Sequence, residues 1–554
     1  MEKNELMKVE DDQEKQNASN SAKSIEPEVY EPEVSEPKVY LVGAGPGDPG
    51  LLTLRGKECL AQADVVIYDQ LVSPRVLDFC HEKVEKIAVR DLPGCHPERW
   101  PYIFQRMIEE AQKGKRVVRL KGGDPLIFGR GGEEMEALRQ AGISHEVIPG
   151  VTTALAAGAY LDIPLTHREM SSAIALITGH EHPAKPNSRL DWKAIAQFPG
   201  TIAIYMGMAR LPAIVAELIA CGKSHLTPVA VVSKVSTGEQ RSVKSTLGEI
   251  ENAIRSAGLV TPAMILMGEV VNLKPERSWF EKLGLLNHHI LITRPKRQAE
   301  VLLRSLENLG ALTFHWEPIR IEPIDDFEQM DKMIDQMTIG KWDWVVFTSA
   351  NGVTGFLNRV FALGKDARIF GKMQIAAVGG ATAETLLQFG LRADLIGTES
   401  MNSDELLRAL LPLLQAGTKK NILIIRTQNG RELLQQQLGT IANVDSLIAY
   451  KQVENSGHSP TDQILFDHLR RGEIDMVVLT SKNIAQQFLE VCDETIRQRI
   501  RFGQIGLVTN SSRTSSFLKE QGFPVAIEAN KPNNEGLIEA ILALAKRKQR
   551  EGHD

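Results

Sequence analysis

Residues 121–134, KGGDPLIFGRGGEE, follow a short apolar run, Val117 to Leu120, that predicts the end of a buried strand. The first two glycines let the backbone approach a flat or charged group closely, and Asp124 before Pro125 fixes the turn. The second glycine group surrounds Arg130 and leads into a predicted helix with two glutamates in its first turn. A tight turn needs only one or two glycines, so this loop at a strand's carboxyl end predicts a ligand site.

The bulk composition limits the possible classes of protein. A chain of 554 residues predicts several domains, and its net charge of −6 argues against a nucleic-acid binder. No apolar run is long enough to span a membrane, and the charged N-terminus lacks the apolar stretch of a signal peptide. The five cysteines are scattered, which predicts reduced thiols and a cytoplasmic protein. Cys80-His81 and Cys95-His96 lack a C-x-x-C pair, so no metal site is predicted.

The N-terminal region starts with a tail and then a strand. Residues 1–37 are rich in Glu, Lys, Ser and Pro, and predict a disordered acidic tail. The strand predicted at Lys38 to Val42 runs into a glycine-rich loop that formally matches the G-x-G-x-x-G dinucleotide signature, and Asp69 ends the next strand. Pro46 and Pro49 oppose this interpretation because they remove N–H groups that a pyrophosphate would need. A dinucleotide oxidoreductase stays open as an alternative.

Strands and helices alternate as far as residue 273, which predicts an α/β domain over residues 38–273. The further predicted strands are Val65–Tyr68, Ile143–Ile148, Ser172–Thr178, Thr201–Tyr205, Pro228–Val232 and Ala263–Met267.

Five motifs of this domain together resemble uroporphyrinogen-III C-methyltransferase. They are VGAGPGDP at 42–49, YDQLVS at 68–73, the loop at 121–134, PLTHR at 164–168 and YMG at 205–207. The resemblance implies a two-lobed tetrapyrrole methylase, usually a homodimer, that binds S-adenosylmethionine between its lobes and needs no metal. This is not the common Rossmann methyltransferase fold.

The resemblance also implies roles for individual residues. Asp69 matches the base that removes a proton from the methylated carbon, although an aspartate at a strand end can equally cap a turn. The implied substrate is an octacarboxylate, for which the candidate ligands are Arg55, Arg75, Arg130, His167 and Arg168, any of which could be a surface charge. The positions that match cofactor contacts are Pro46, Gly122, Gly123, Asp124, Ile127, Thr152, Thr153, Met206, Val235 and Ala263.

Two departures from the family pattern affect these expectations. Asp91 stands where the family has a lysine assigned as a proton donor, and Leu92 replaces the arginine that follows. Val235 stands where the family has a glycine that contacts the cofactor. We therefore expect intact cofactor binding but altered methyl transfer.

Residues 274–287 carry Lys, Arg and Glu and predict a linker, after which the sequence repeats. Ile290–Arg294 parallels Ile422–Arg426, and Asp343–Asn351 parallels Asp475–Asn483, with 132 residues between the members of each pair. Each repeat predicts strand, helix, strand-Thr-Ser, helix, strand and helix. Two similar α/β lobes would leave a ligand cleft at the carboxyl ends of their strands, beside the two Thr-Ser loops.

The repeated region, residues 288–548, resembles uroporphyrinogen-III synthase. The motifs are diffuse: Thr293-Arg294-Pro295, residues 347–352, Val378-Gly379, Tyr450 and residues 534–537. The resemblance implies ring closure of hydroxymethylbilane with Tyr450 at the leaving hydroxyl, although Tyr450 could be a core residue. The implied substrate contacts are Thr348 and Ser349, with Thr480, Ser481 and the Ser512–Thr514 turn as further candidates.

The sequence thus predicts an α/β fold in which a two-lobed tetrapyrrole methylase precedes a two-lobed synthase. The predicted function is bifunctional: formation of uroporphyrinogen III and its methylation to precorrin-2, for siroheme or cobalamin synthesis. A methylase half that only binds cofactor remains the second alternative, because of Asp91 and Leu92.

Overall fold

The computed structural model describes residues 38–81, 83–93, 99–179, 190–397, 403–414, 419–428 and 433–551. The tail predicted at residues 1–37 lies outside them. The chain divides into two compact units, residues 1–156 and 157–554.

The first unit contains a five-stranded parallel sheet with the order β3-β2-β4-β1-β5. Strands β1 and β2 carry apolar residues on both faces, as parallel strands covered by helices on each side require, and two separate apolar clusters fill the faces of the sheet. The strands are β1 (Val39–Gly43), β2 (Val65–Tyr68), β3 (Glu85–Ala88), β4 (Val117–Lys121) and β5 (His145–Ile148). The helices are α1 (Leu54–Gln62), α2 (Trp100–Gln112), α3 (Gly131–Gln140) and α4 (Thr153–Tyr160), the last of which crosses the boundary between the units.

The second unit begins with a mixed five-stranded sheet, called here the mixed sheet, with the order β6-β7-β10-β8-β9. Strand β10 runs antiparallel to both β7 and β8, so its amino end meets their carboxyl ends at one edge. The strands are β6 (Ile174–Thr178), β7 (Thr201–Tyr205), β8 (Pro228–Ser233), β9 (Arg241–Thr246) and β10 (Ala263–Met267). The helices are α5 (Trp192–Gln197), α6 (Leu211–Ala220) and α7 (Ile250–Ala257).

The rest of the second unit alternates strands and helices. The strands are β11 (His289–Ile292), β12 (Leu312–His315), β13 (Ile319–Glu322), β14 (Trp344–Phe347), β15 (Gln374–Ala377), β16 (Leu395–Ile396), β17 (Asn421–Thr427), β18 (Asn443–Glu454), β19 (Met476–Leu479), β20 (Gly506–Thr509) and β21 (Val525–Glu528). The helices are α8 (Lys296–Asn308), α9 (Glu328–Thr338), α10 (Ala350–Ala362), α11 (Gly380–Gln388), α12 (Ser403–Leu414), α13 (Leu433–Gly439), α14 (Pro460–Arg471), α15 (Lys482–Val491), α16 (Glu494–Arg501), α17 (Ser512–Glu520) and α18 (Asn534–Glu551).

These strands form two sheets, and each sheet contains strands from both sequence repeats. The terminal lobe has the order β12-β11-β19-β20-β21, and the inserted lobe has the order β13-β18-β17-β14-β15-β16. Strand β11 of the first repeat pairs with β19 of the second, while β17 of the second pairs with β14 of the first. Two similar lobes are present as predicted, but each contains the start of one repeat and the end of the other.

The segment predicted as a linker, residues 274–287, is ordered and packed. The Trp279 indole Nε1 donates to the Ala159 carbonyl at 2.9 Å, and the Trp279 backbone N–H donates to Asp162 Oδ2 at 2.8 Å. Phe280 packs against the Tyr160 ring with 4.8 Å between ring centroids, and Leu285 is fully buried in a core cluster of the terminal lobe. The segment therefore joins its neighbours within the second unit through specific contacts.

The sequence analysis missed the edge strands β3 and β9. Both are short and rich in charged or hydroxyl residues, and most of their positions are exposed or half-buried. Edge strands of this kind lack the continuous apolar run from which the central strands were predicted.

Candidate active sites

Three glycines bring the ends of the central strands of the first unit into direct backbone contact. Gly43 ends β1, Gly123 follows β4 and Gly150 follows β5. A Cβ atom on Gly150 would lie 2.2 Å from the Gly123 carbonyl oxygen and 2.8 Å from Gly43 Cα. A Cβ atom on Gly150 has no room at this junction, so the strand ends meet there backbone to backbone.

Hydrogen bonds fix the same junction. Gly45 and Gly123 exchange two backbone bonds, of 3.2 and 2.8 Å. The two carboxylate oxygens of Asp124 accept from Leu126 N at 2.8 Å and from Gly150 N at 3.0 Å. The structure thus gathers at one sheet edge the loops that carry Pro46, Gly122–Ile127 and Thr152–Thr153. Asp124 acts there as a clamp between loops.

The backbone of the first loop argues against a dinucleotide site. Ala44 N donates to the Lys121 carbonyl at 2.7 Å, Gly50 N to Asp48 Oδ1 at 2.7 Å, and Leu51 N to the Asp48 carbonyl at 3.0 Å. With Pro46 and Pro49 lacking an N–H, the loop has few backbone donors left for a pyrophosphate.

A buried chain of charges lies behind the predicted base. Arg119 is fully buried, and it donates to Asp69 Oδ1 at 2.5 Å and to Glu134 Oε1 at 2.9 Å. The Lys121 ammonium also lies 2.9 Å from the Glu134 carboxylate. Burial, followed by the nearby Arg119 charge, lowers the pKa of Lys121. The charges of Arg119 and Lys121 therefore balance those of Asp69 and Glu134. Of these four side chains Asp69 is the one that reaches the surface, with 29% of its side chain exposed.

The cationic residues predicted to bind the substrate differ in the contacts that they make within the protein. Arg55 is bound in a fork by Glu146, at 3.2 and 2.9 Å, and Arg75 is paired with Asp78. The guanidinium groups of these two are thus already engaged by carboxylates of the chain. Arg130 stacks over the Trp100 ring at 4.0 Å and donates to Glu133 at 2.9 Å.

His167 and Arg168 lie in the second unit. His167 Nδ1 accepts from the Glu169 N–H at 3.2 Å, and Arg168 is exposed.

The mixed sheet gathers the remaining predicted cofactor residues at one edge. Met206 follows β7 and Ala263 begins β10, while Lys234 N donates to the Pro262 carbonyl at 2.9 Å. Three non-glycine residues here have left-handed backbone: Met206, Lys234 and Ser236, with φ of 53°, 50° and 59°. Such conformations cost energy and concentrate at binding sites. Val235 lies between the last two, and its side chain is buried.

The structure describes only part of the segment around Asp91 and Leu92, which differs from the family pattern. Asp91 ends a 3₁₀ helix, Val89–Asp91, with its side chain 70% exposed and 3.7 Å from Arg90. Residues 94–98, with Cys95 and His96, lie outside the described residues. Because solvent screens the exposed carboxylate of Asp91, its repulsion of a negatively charged substrate is weak.

Tyr450 and the first Thr-Ser loop meet in the inserted lobe. The Tyr450 hydroxyl and Ser349 Oγ lie 3.0 Å apart, and Ser349 Oγ caps α10 by accepting from Gly352 N at 3.1 Å. Thr348 Oγ1 donates to the Ile425 carbonyl at 3.0 Å. Tyr450 is 4% exposed within a core cluster, so its ring is a packing residue and its hydroxyl belongs to the polar strand end.

The terminal lobe has a matching polar edge. Ser481 Oγ caps α15 by accepting from Ile484 N at 3.3 Å, and Thr509 Oγ1 lies 2.7 Å from Ser515 Oγ. Asn510 Oδ1 is buried and has no hydrogen-bond partner among the described residues.

Comparisons with known proteins match these two regions to two families. The model of the tetrapyrrole (corrin/porphyrin) methylases matches residues 38–251, across both units, and that of uroporphyrinogen-III synthase HemD matches residues 300–539. Porphyrin biosynthesis protein HemD of Ruminiclostridium josui is 39% identical over 356 residues, which are 64% of this chain and 70% of that protein. The chain belongs to the tetrapyrrole methylase and uroporphyrinogen-III synthase families.

Two further similarities concern the methylase half. Siroheme synthase 1 of Yersinia pseudotuberculosis is 50% identical over 243 residues, 44% of this chain and 51% of that protein. A uroporphyrin-III C-methyl transferase of Thermus thermophilus, solved in complex with S-adenyl homocysteine, is 37% identical. It covers 43% of this chain and 99% of its own, with a TM-score of 0.37.

The chain is thus an enzyme of tetrapyrrole biosynthesis with a methyltransferase half and a synthase half, and its cofactor is S-adenosylmethionine. The residues present fit this cofactor. A Cβ on Gly122 would meet only Leu71, at 3.6 Å, so the bare turn leaves open space beside it for a flat group. Gly123, at φ 65°, turns the chain there in a conformation that side-chain-bearing residues rarely adopt.

Sequence reasoning missed the partners of Asp69. Arg119, Lys121 and Glu134 are all buried, and the available signal was two charged residues inside an otherwise apolar strand. Within the described ranges, no group of three or more His, Cys, Asp or Glu forms a metal site. In the same ranges no helix combines the length and apolarity needed to cross a bilayer.

Proposed function

We propose that this chain closes hydroxymethylbilane to uroporphyrinogen III and then methylates that product at C2 and C7, giving precorrin-2. The observation that carries the proposal is the match of two families in one chain, because the product of a synthase is the substrate of a C-methyltransferase. The siroheme branch is supported by the similarity to a siroheme synthase, and the cobalamin branch is the other outcome.

In the synthase half, we assign Tyr450 as the weak acid beside the leaving hydroxyl. Its own hydroxyl is within hydrogen-bond distance of Ser349, at 3.0 Å, so that contact fixes its direction. Thr348, Ser349 and the amino end of α10 provide polar groups for the substrate's carboxylates. Ring closure needs shape, anion binding and one weak acid rather than a strong catalytic group.

In the methylase half, S-adenosylmethionine supplies an electrophilic methyl group when bound, and the protein aligns the reacting carbon with it. The Gly122–Asp124 turn, Pro46, Ile127, Thr152 and Thr153 would hold it in the first unit. Met206, Val235 and Ala263 would do so in the second. Asp69 would take the proton from the methylated carbon, with Arg119 holding its carboxylate at 2.5 Å.

The substrate's carboxylates would be bound by Arg130, His167 and Arg168. Stacking on Trp100 orients the Arg130 guanidinium, while its Nε bond to Glu133 leaves other donors available.

The proposal includes an organisation of the chain. Residues 38–273 form the methyltransferase domain, 274–287 the connecting segment and 288–548 the synthase domain, in a cytoplasmic homodimer formed through the methyltransferase. Size-exclusion chromatography with light scattering, comparing the full chain with residues 286–554, tests the dimer.

The deciding experiment incubates the full chain with hydroxymethylbilane, with and without S-adenosylmethionine. Without cofactor we expect uroporphyrinogen III, identified after oxidation by chromatography of the isomers. With cofactor we expect a mass gain of two methyl groups and the absorbance of a methylated product. If the type I isomer of spontaneous closure is the sole product, the synthase assignment is refuted. If the type III product stays unmethylated when the cofactor is present, methyl transfer is refuted.

A second candidate, a methylase half that binds cofactor without efficient transfer, is favoured by Asp91 and Leu92. Asp91→Lys restores a cation at this position, and we expect it to raise kcat/KM for methylation by a few-fold at most, since Asp91 is 70% exposed. Asp91→Asn removes the charge alone and is the control. If Asp91→Lys lowers the rate instead, Asp91 has a role of its own.

A further inference from the structure

Arg294 is a cation whose guanidinium lacks a carboxylate partner. It follows β11 in the terminal lobe, and within the described residues the only hydrogen bond of its guanidinium is from Nη1 to Asn534 Oδ1, at 2.6 Å. Burial alone lowers its pKa, because no neighbouring carboxylate opposes the effect. A partly buried charge without a counter-ion is unfavourable, so its retention at a strand end points to an anion that arrives with a ligand.

The surroundings of Arg294 suit a carboxylate. Strand pairing places Ile292 opposite Val478. The same register, continued two residues beyond this pair, aligns Arg294 with Thr480, at the turn that opens α15. Helix α15 begins at Lys482, and its first N–H groups favour negative charge. The buried and unpartnered Asn510 Oδ1 follows the adjacent strand β20 and could accept an N–H such as that of a pyrrole.

The exchanged repeats place a second arginine in the same position of the other lobe. Ile424 of β17 pairs with Val346 of β14, just as Ile292 pairs with Val478. Arg426 therefore comes beside Thr348 as Arg294 comes beside Thr480. Each lobe has one arginine next to one Thr-Ser loop at its strand ends.

We propose that Arg294 binds a carboxylate side chain of the linear tetrapyrrole substrate, and that Arg426, at the matching register position of the other lobe, binds a second one. The inference rests on the proposed synthase function and adds a pair of substrate-binding residues to it. One cation in each lobe would hold different parts of one polycarboxylate, against the net charge of −6 of the chain.

The test is steady-state kinetics of the full chain with hydroxymethylbilane, using Arg294→Gln, Arg294→Lys and Arg426→Gln. Loss of a charge-assisted bond predicts that each Gln variant raises KM about tenfold or more while kcat changes by less than about threefold. Arg294→Lys keeps the charge but not the fork, so it should recover part of the affinity. Added salt should raise the KM of the unmodified chain more than that of the Gln variants.

Two controls separate substrate binding from a structural role. Arg304→Gln removes an exposed arginine of α8, bonded to Glu300 at 2.8 Å, and should leave KM unchanged. Asn534→Ala removes the protein contact of Arg294 but keeps the cation, and should change KM by less than about threefold.

The inference fails if Arg294→Gln leaves KM unchanged, or if Asn534→Ala reproduces its effect. Where Arg294→Gln does not fold, Arg294→Lys and Asn534→Ala decide the question by the same comparison. Failure of the unmodified chain to form the type III isomer would instead refute the proposed function.

Discussion

The buried guanidinium of Arg119 joins Asp69 to Glu134, donating to the first at 2.5 Å and to the second at 2.9 Å. Asp69 follows β2, whereas Glu134 lies in α3, just beyond the glycine-rich loop. The Arg119 side chain therefore connects the proposed base to the helix that follows the proposed cofactor loop.

Replacing Arg119 by Gln should destabilise the first unit strongly. The change leaves the fully buried Glu134 with only Lys121 as a counter-ion, and breaking such a buried pair costs about 3–5 kcal/mol. Urea denaturation at neutral pH gives the change in the free energy of unfolding. Arg90→Gln, which breaks an exposed pair with Asp91, should cost less than about 1 kcal/mol. Equal losses for the two variants would contradict this account.

A methyl group at Gly150 should disrupt the cofactor edge. The Cβ of Gly150→Ala would lie 2.2 Å from the Gly123 carbonyl, so the two loops must separate. We expect calorimetric binding of S-adenosylhomocysteine to weaken at least tenfold, as a shift of about 1.4 kcal/mol. Gly132→Ala adds a methyl group into open space in the same region and serves as the control. Unchanged affinity in Gly150→Ala would place the cofactor elsewhere.

Tyr450→Phe tests whether the hydroxyl acts in catalysis or only in packing. The ring stays in the core while the contact with Ser349 is lost, so stability should fall by about 1 kcal/mol. If the hydroxyl assists departure of water from the substrate, kcat for type III formation should fall by about 10²-fold. Ser349→Ala removes the same contact but keeps the phenol, and should reduce kcat less. A Tyr450→Phe enzyme with normal kcat would make Tyr450 a core residue only.

The connecting segment decides where the synthase half can be cut. Leu285 is fully buried in the core of the terminal lobe, and its N–H donates to the Leu309 carbonyl at 2.9 Å. A fragment of residues 283–554 should therefore be about 2–4 kcal/mol more stable to urea than one of residues 286–554. Leu285→Ala in the longer fragment isolates the side-chain part, while Leu286→Ala, at a less buried position, is its control. Equal stability of the two fragments would show that the segment contributes nothing to this core.

Protonation of Glu110 should lower the stability of the protein in acid. Hydrogen bonds from Lys113, at 2.7 Å, and from Lys115 lower its pKa to about 2, against the opposing effect of burial. Because the folded pKa lies below the unfolded one, the stabilisation is present above the unfolded pKa and is lost as pH falls towards 2. Solvent around both lysines weakens these interactions. The free energy of unfolding of the unmodified chain should therefore exceed that of Glu110→Gln by about 1–2 kcal/mol at pH 6, and this difference should shrink steadily below about pH 4.5.

Urea midpoints at several pH values measure that difference. Glu109→Gln on the same helix, whose carboxylate accepts from Gln105 at 2.6 Å, is the control and should show little change with pH. A difference between wild type and Glu110→Gln that does not depend on pH would exclude the ionised carboxylate as its source.

The sequence was sufficient for features that depend on neighbouring residues. The runs at β1, β2 and β10 predicted central strands because they are apolar on both faces, and the strands form there. The glycine-rich loops predicted close backbone approach, which follows from the missing Cβ atoms themselves. The repeated strand-Thr-Ser pattern predicted a helix after each Thr-Ser pair, and α10 and α15 begin there, with Ser349 and Ser481 as their caps.

Tertiary structure alone decided which of these pieces meet. Strand β11 has the same apolar pattern whether it pairs with the Thr-Ser strand of its own repeat or with that of the other, so the exchange between lobes leaves no local trace. In the same way, Arg55, Arg75 and Arg130 look alike as single charges. Packing engages the first two with carboxylates alone, whereas the third, beside its bond to Glu133, stacks on an aromatic ring. Charge pairing and strand pairing join residues far apart in the chain, and their energies are decided only when the fold brings those residues together.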